Sequence, residues 1–137
     1  MILVDANVLM YAVGADHPHK QPCIRLLERI GAGAVDATVD AETLQELLHR
    51  YRSLGRWPEA EQVYALTRRL FRAVLPITGE VVDQAQLLMH RHRGLSARDA
   101  VHAAVVAVEA LDGICSYDRD FDVIDGLCRI LPDALLD

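Results

Sequence analysis

The chain has 137 residues, 52% of them apolar and 25% charged, with a net charge of −6 at neutral pH. That size suits one domain, spanning 1–137, with a core of its own, and the composition excludes a disordered chain. No apolar run approaches the roughly 18 residues of a membrane span, and Asp5 and Asn7 interrupt the N-terminal apolar run before a signal-peptide core forms, so a cytoplasmic location is expected.

Met1 to Val4 reads as a short buried strand, and Asp5-Ala6-Asn7 turns it into the apolar segment Val8 to Val13. Pro18 and Pro22 suit the start of a helix whose stripe is Cys23, Leu26, Leu27 and Ile30, ended by Gly31 and Gly33. Ala34 to Val39 is a second strand, and Asp40 caps the helix after it. That helix buries Leu44, Leu47, Leu48 and Tyr51, which places Glu42 and Glu46 together on its other side.

Trp57 stands at the entrance of a long amphipathic helix carrying Ala60, Val63, Thr67, Leu70 and Phe71, read as core or subunit contact. Val74 to Ile77 is an edge strand, given Pro76, and Thr78 caps a helix stopped by Gly94. Ser96-Ala97-Arg98-Asp99 has capping-box spacing and opens the apolar helix Ala100 to Leu111. Ile114 to Ser116 and Cys128 to Leu131 complete a mainly parallel sheet of about five strands with helices on both faces, a three-layer α/β/α domain.

The three cysteines, Cys23, Cys115 and Cys128, lack metal-ligand spacing and are expected as buried free thiols. His17 and His19, and His90 and His92, alternate in polar stretches and read as surface residues. His102 falls three residues after Asp99 on one helix face, where it either orients that carboxylate or fills a helix–sheet contact.

Five acids stand where predicted strands give way to helices or loops, or on the helix that follows: Asp5, Glu46, Asp99, Asp118 and Asp122. The carboxyl ends of parallel strands are where open α/β folds bind ligands. Carboxylates gathered there repel one another unless a divalent cation neutralises them, and hard oxygen donors without a cysteine or histidine pair suit Mg²⁺ better than zinc. The pattern points to metal-dependent chemistry on phosphate esters. An acidic chain is an unusual partner for nucleic acid, but two divalent ions would offset four of its charges. Its cations are nearly all arginine, the better phosphate fork, with Lys20 the single lysine. A phosphoacceptor domain needs a lysine late in the sheet, and a nucleotide-binding P-loop needs a Gly-x-x-x-x-Gly-Lys motif; neither is present.

Four segments in order carry a family resemblance: Val4-Asp5-Ala6-Asn7, Thr43-Leu44-Gln45-Glu46-Leu47-Leu48, Ala97-Arg98-Asp99-Ala100-Val101-His102-Ala103-Ala104, and Ser116-Tyr117-Asp118-Arg119-Asp120-Phe121. Over essentially its whole length the chain resembles the PIN-domain ribonucleases, specifically the VapC-type toxins of bacterial toxin–antitoxin pairs. The resemblance implies a Mg²⁺- or Mn²⁺-dependent endoribonuclease that cuts tRNA or ribosomal RNA and arrests growth.

It implies an acidic quartet of Asp5, Glu46, Asp99 and Asp118, with Asp5, Asp99 and Asp118 on the metal. Asn7 and Ser116 would be hydrogen-bonding neighbours, and Asp122 would assist or replace Asp118. Arg98 and Arg119, which flank two of the ligands, are the candidate phosphate contacts. Also implied are a homodimer and a VapB-like antitoxin laid across the acidic site. The alternative is a PIN-like module without catalysis, which predicts neither a cation-dependent thermal shift nor RNA cleavage.

Overall fold

The computed structural model describes residues 1–137. Strand β1 (Ile2–Val4) runs into helix α1 (Ala6–Val13), then come α2 (Lys20–Gly31), β2 (Ala37–Asp40), α3 (Ala41–Ser53) and α4 (Trp57–Leu70). After these follow β3 (Val74–Leu75), α5 (Gly79–Arg91), α6 (Ala97–Val108), β4 (Ile114–Cys115) and β5 (Arg129–Ile130). Two 3₁₀ turns, Arg119–Val123 and Pro132–Leu135, flank β5. No helix is long and apolar enough to cross a membrane.

The five strands are all parallel, in the order β3-β2-β1-β4-β5. Alternation along β1 divides the core between the two faces of the sheet. Ile2 and Val4 join Val39 and Cys115 in a cluster with α1 to α4, whereas Leu3 and Ile114 pack with α5, α6 and Phe121. This is the three-layer arrangement expected. β3 lies at the edge, as Pro76 implies.

Helix starts follow their capping residues. Asp40 accepts from Thr43 N at 2.8 Å, Thr78 from Val81 N at 3.2 Å, and Ser96 from Asp99 N at 3.2 Å. The structure departs from expectation at Asp5, whose side chain caps α1 directly, so the helix begins at Ala6 rather than after a turn at Asn7. Helix α6 likewise starts three residues early, because Ser96 is its cap, and ends at Val108. Cys23 and Cys115 are buried, but Cys128 is exposed at the start of β5, contrary to the expectation of three buried thiols.

One glycine is fixed by packing. A Cβ on Gly113 would stand 2.3 Å from the Cys128 carbonyl oxygen, so only glycine lets β4 and β5 approach.

The chain leaves β1 toward β2 and β3 on one side, then returns to build β4 and β5 on the other. That reversal sets the carboxyl ends of β1 and β4 side by side and opens a crevice there. Asp5 follows one strand and Ser116 the other.

Candidate active site

Asp5 is held from three directions. Its Oδ1 accepts from Ala6 N at 2.7 Å, and its Oδ2 accepts from the Ser116 hydroxyl at 2.6 Å and from Asn7 Nδ2 at 3.2 Å. The same Ser116 oxygen accepts from Asn7 Nδ2 and from Asp118 N, each at 3.0 Å. One hydroxyl thus ties the ends of β1 and β4 to the loop carrying Asp118. Asp5 is only 6% exposed, and burial pushes its carboxyl above the usual range, against the pull of His102.

Asp99 stands in the first turn of α6, where the helix N-terminus favours a negative charge. Burial, then repulsion from Asp118 and Asp5, nonetheless pushes it up to about 6. The three acids therefore share one region of charge. Ligand atoms of Asp99, Asp118 and Asp120 lie within 4.8 Å of one another. Asp120 was missed in the sequence; its one signal was its place two residues after Asp118 in Asp118-Arg119-Asp120, and Asp120 N donates to Asp118 Oδ1 at 2.9 Å.

Asp122 lies elsewhere. Its two oxygens accept from Arg129 at 2.8 and 3.1 Å, and that guanidinium also donates to the Ser116 carbonyl at 3.1 Å. The arginine holds the Asp122 carboxyl below its ordinary value and steadies the end of β4. Asp120, not Asp122, is the acid found beside Asp118.

Glu46 is 7% exposed, not solvated on the outer face of α3, because α6 covers it. Arg98 lies 3.1 Å from its Oε1 and Arg50 3.8 Å, while its buried Oε2 has no hydrogen-bond partner. Arg98 is thereby tied to an acid, whereas exposed Arg119 makes no hydrogen bond or ion pair. Glu42 remains half-buried, with its carboxyl raised by burial. It borders a cleft of about 410 Å³ between α3 and the start of α6, lined also by Gln45, His49 and Arg98.

Beneath the acids lies a pair that the sequence did not announce. Asp40, read only as a helix cap, directs Oδ2 at His102 Nδ1, 2.7 Å away, and neither side chain is exposed. His102 does not sit against Asp99. Its Nε2 lies 3.9 Å from Asp5 Oδ1 and 3.7 Å from Glu46 Oε2. Burial lowers the imidazole pKa, but Asp40, Glu46 and Asp5 outweigh it and raise it well above the usual value.

His17 and His19 also gain company. Both contact Tyr11, and His19 stacks on Tyr117 with centroids 3.6 Å apart. Tyr11 lines a cleft of about 250 Å³ with Asn7, Met10 and Arg50.

The donor set fits a hard divalent cation. Carboxylates converge, one is pushed up by burial and by its neighbours, and buried polar atoms of Asn7, Glu46 and His102 lack partners.

A family model of the PIN domain matches residues 2–127. The chain belongs to the PIN-domain family. Ribonuclease VapC13 of Mycobacterium tuberculosis is 42% identical over 130 residues, covering 95% of this chain and 99% of the relative. Ribonuclease VapC23 of the same species is 38% identical over 119 residues, covering 87% and 94%. Among solved structures, M. tuberculosis VapC20, described as a sarcin–ricin loop cleaving toxin, superposes with a TM-score of 0.75 at 19% identity, covering 95% of this chain and 98% of that one. FitAcB from Neisseria gonorrhoeae gives 0.75 at 18% identity, covering 96% and 98%. The crevice at the β1–β4 boundary thus lies within a PIN fold.

Proposed function

We propose that the chain is a metal-dependent endoribonuclease, the toxin of a VapBC-type pair, cutting structured RNA such as tRNA or ribosomal RNA. The observation that carries the proposal is the meeting of Asp5, Asp99 and Asp118 at the β1–β4 crevice, where Asp99 is raised to about 6 by burial and by its acidic neighbours. Whole-length relatives named as ribonucleases support the same reading.

Asp5, Asp99 and Asp118 would hold Mg²⁺ or Mn²⁺, which supplies an acidified water and neutralises charge at the phosphodiester. The chain's own contribution is orientation. Ser116 and Asn7 fix the Asp5 carboxylate, and the Ser116 oxygen sets the position of Asp118 through its backbone N–H. Glu46, partly neutralised by Arg98, stands beside Asp5 as the fourth acid of the quartet. Arg119 is the guanidinium left free for a phosphate. Asp120 is an exposed acid within 4.8 Å of Asp99 and Asp118.

The cognate partner is a VapB-like antitoxin that covers this crevice, and the active species is a homodimer. Water attack leaves 5′-phosphate and 3′-hydroxyl ends. The test is induction of the chain in cells, with and without Asp5→Ala, followed by mapping of new RNA 5′ ends. Discrete Asp5-dependent cleavages are expected. Cyclic 2′,3′-phosphate products, which require attack by the RNA's own hydroxyl, would overturn the scheme.

A further inference from the structure

Two buried polar atoms face each other unpartnered in the floor of the crevice: Glu46 Oε2 and His102 Nε2, 3.7 Å apart. A buried polar atom without a hydrogen-bond partner is unfavourable, so two of them side by side need a physical reason. The separations from Nε2, 3.7 Å to Glu46 and 3.9 Å to Asp5 Oδ1, are too long for hydrogen bonds. They are the spacing of atoms arranged about a common ion, since ligands bound at about 2.1 Å stand roughly 3–4 Å from one another. One ligand atom from each of Asp5, Glu46 and His102 lies within 4.8 Å of the other two.

The other ring nitrogen explains how His102 is prepared. Asp40 offers only acceptors, so Nδ1 carries the proton that bridges the 2.7 Å contact. That places the Nδ1 proton on the Asp40 side and aims Nε2 at the gap between Asp5 and Glu46, where a divalent cation would displace the Nε2 proton that these carboxylates otherwise hold on the ring. A carboxylate behind a histidine is the usual support of a metal-bound imidazole.

We propose that His102 is a metal ligand. Its Nε2, with Asp5 and Glu46, forms a mixed nitrogen–oxygen position that prefers Mn²⁺ or a similar transition-metal dication to Mg²⁺. The neighbouring group of Asp99, Asp118 and Asp120 offers oxygen alone and suits Mg²⁺ equally well. The inference rests on the reading of this crevice as a metal centre, and adds a nitrogen donor that selects the ion.

The test is pulsed EPR of the full-length chain loaded with Mn²⁺, which detects a nitrogen bound directly to the ion. Nitrogen modulation is expected, persisting in a large excess of Mg²⁺ and changing form when histidine is labelled with ¹⁵N. It should disappear in His102→Gln. It should survive when His17, His19, His49, His90 and His92, all outside the core, are replaced by Gln, and that variant decides the matter with the core intact if His102→Gln does not fold. Asp40→Asn, which retains a good helix cap for α3, should weaken Mn²⁺ binding about 10–100-fold and Mg²⁺ binding much less. Mn²⁺ bound without nitrogen modulation, or modulation unaffected by His102→Gln, overturns the proposal while leaving an all-oxygen nuclease centre standing. Failure of the chain to bind Mn²⁺ at all removes the metal centre itself.

Discussion

The Ser116 hydroxyl lies 2.6 Å from Asp5 Oδ2, joining residues 111 positions apart at the seam between β1 and β4. It gives one hydrogen bond to Asp5 and takes two, from Asn7 and from Asp118 N. Both strands end there, so the bond fixes the separation of Asp5 from the Asp118 loop. Ser116→Ala leaves the buried Asp5 oxygen short of a donor and should destabilise the fold by about 1–3 kcal/mol. RNA cleavage should fall at least about tenfold even where the protein remains folded, because misplaced carboxylates act through geometry. Thermal unfolding and single-turnover cleavage of Ser116→Ala measure the two effects. Full activity at unchanged melting temperature would mean that the hydroxyl organises nothing.

The two candidate fourth acids differ in their surroundings, and substitution separates them. Asp122 is engaged with Arg129 and is itself exposed, so Asp122→Asn removes a solvent-screened pair that contributes little. Cleavage should change less than about threefold, since a screened pair contributes little and Arg129 keeps its bond to the Ser116 carbonyl. Asp118→Asn should abolish turnover. A reversal of this order in a metal-supplemented cleavage assay would return Asp122 to the site.

Much of this site was legible from strand ends alone. Asp5, Ser116 and Asp118 stand where apolar runs stop, and a parallel sheet brings such positions together. The caps at Asp40, Thr78 and Ser96 were equally readable, because capping is a local hydrogen bond. What escaped was pairing across the fold. Asp40 and His102 are 62 residues apart, and nothing local distinguishes a cap from a cap that also binds an imidazole. Glu46 falls on the side of its helix away from the apolar stripe, and only the docking of α6 shows that this side is covered too. The exposure of Cys128 was not legible either, because a short apolar run at the sheet edge does not say which of its side chains is covered.

Stability of the metal-free protein should fall as pH rises through the Asp99 titration. The folded-state carboxyl titrates at about 6 against 3.8 for the ordinary group, so the folded chain holds this proton more tightly than the unfolded one. Its contribution is complete below 3.8 and is lost as pH rises past about 6. Burial raises Asp5 and Glu42 in the same direction, so their contributions have the same sign. Urea midpoints in EDTA should therefore be higher at pH 5 than at pH 7. Asp99→Asn should flatten that dependence modestly, because solvent screens a carboxyl that is only half-buried. Saturating Mg²⁺ should flatten it as well, by neutralising the cluster. An equally steep dependence in Asp99→Asn would place the responsible group elsewhere.

Gly113→Ala tests the link from packing to chemistry. The added methyl group meets the Cys128 carbonyl oxygen at 2.3 Å, a backbone atom that cannot swing away. Either β5 shifts from β4 or the strand end tilts, at a cost of about 1–3 kcal/mol. Because Arg129 at the start of β5 reaches the Ser116 carbonyl, the disturbance should reach the crevice. Lower divalent-ion affinity is expected together with a lower melting temperature. Calorimetric Mn²⁺ titration of the variant, run well below its transition, distinguishes that coupling from instability alone.

Arg98 and Arg119 flank neighbouring acids, yet their states are opposite, and RNA binding should register the difference. Arg98 is 3.1 Å from Glu46, so Arg98→Ala takes the nearer of two guanidiniums from a buried carboxylate and should impair folding and cleavage together. Arg119 is exposed and unpaired, and Arg119→Ala should leave the melting temperature unchanged. If its guanidinium holds a phosphate, the variant binds single-stranded RNA more weakly. The slope of log affinity against log salt then becomes shallower by about 0.7, as expected when one phosphate fewer is neutralised by the protein. The measurement is fluorescence anisotropy of a labelled RNA on an Asp99→Asn background, which keeps the substrate uncut. An unchanged salt slope would show that the phosphate is held by another group, and Arg119 would then be a solvent-facing charge with no part in substrate binding.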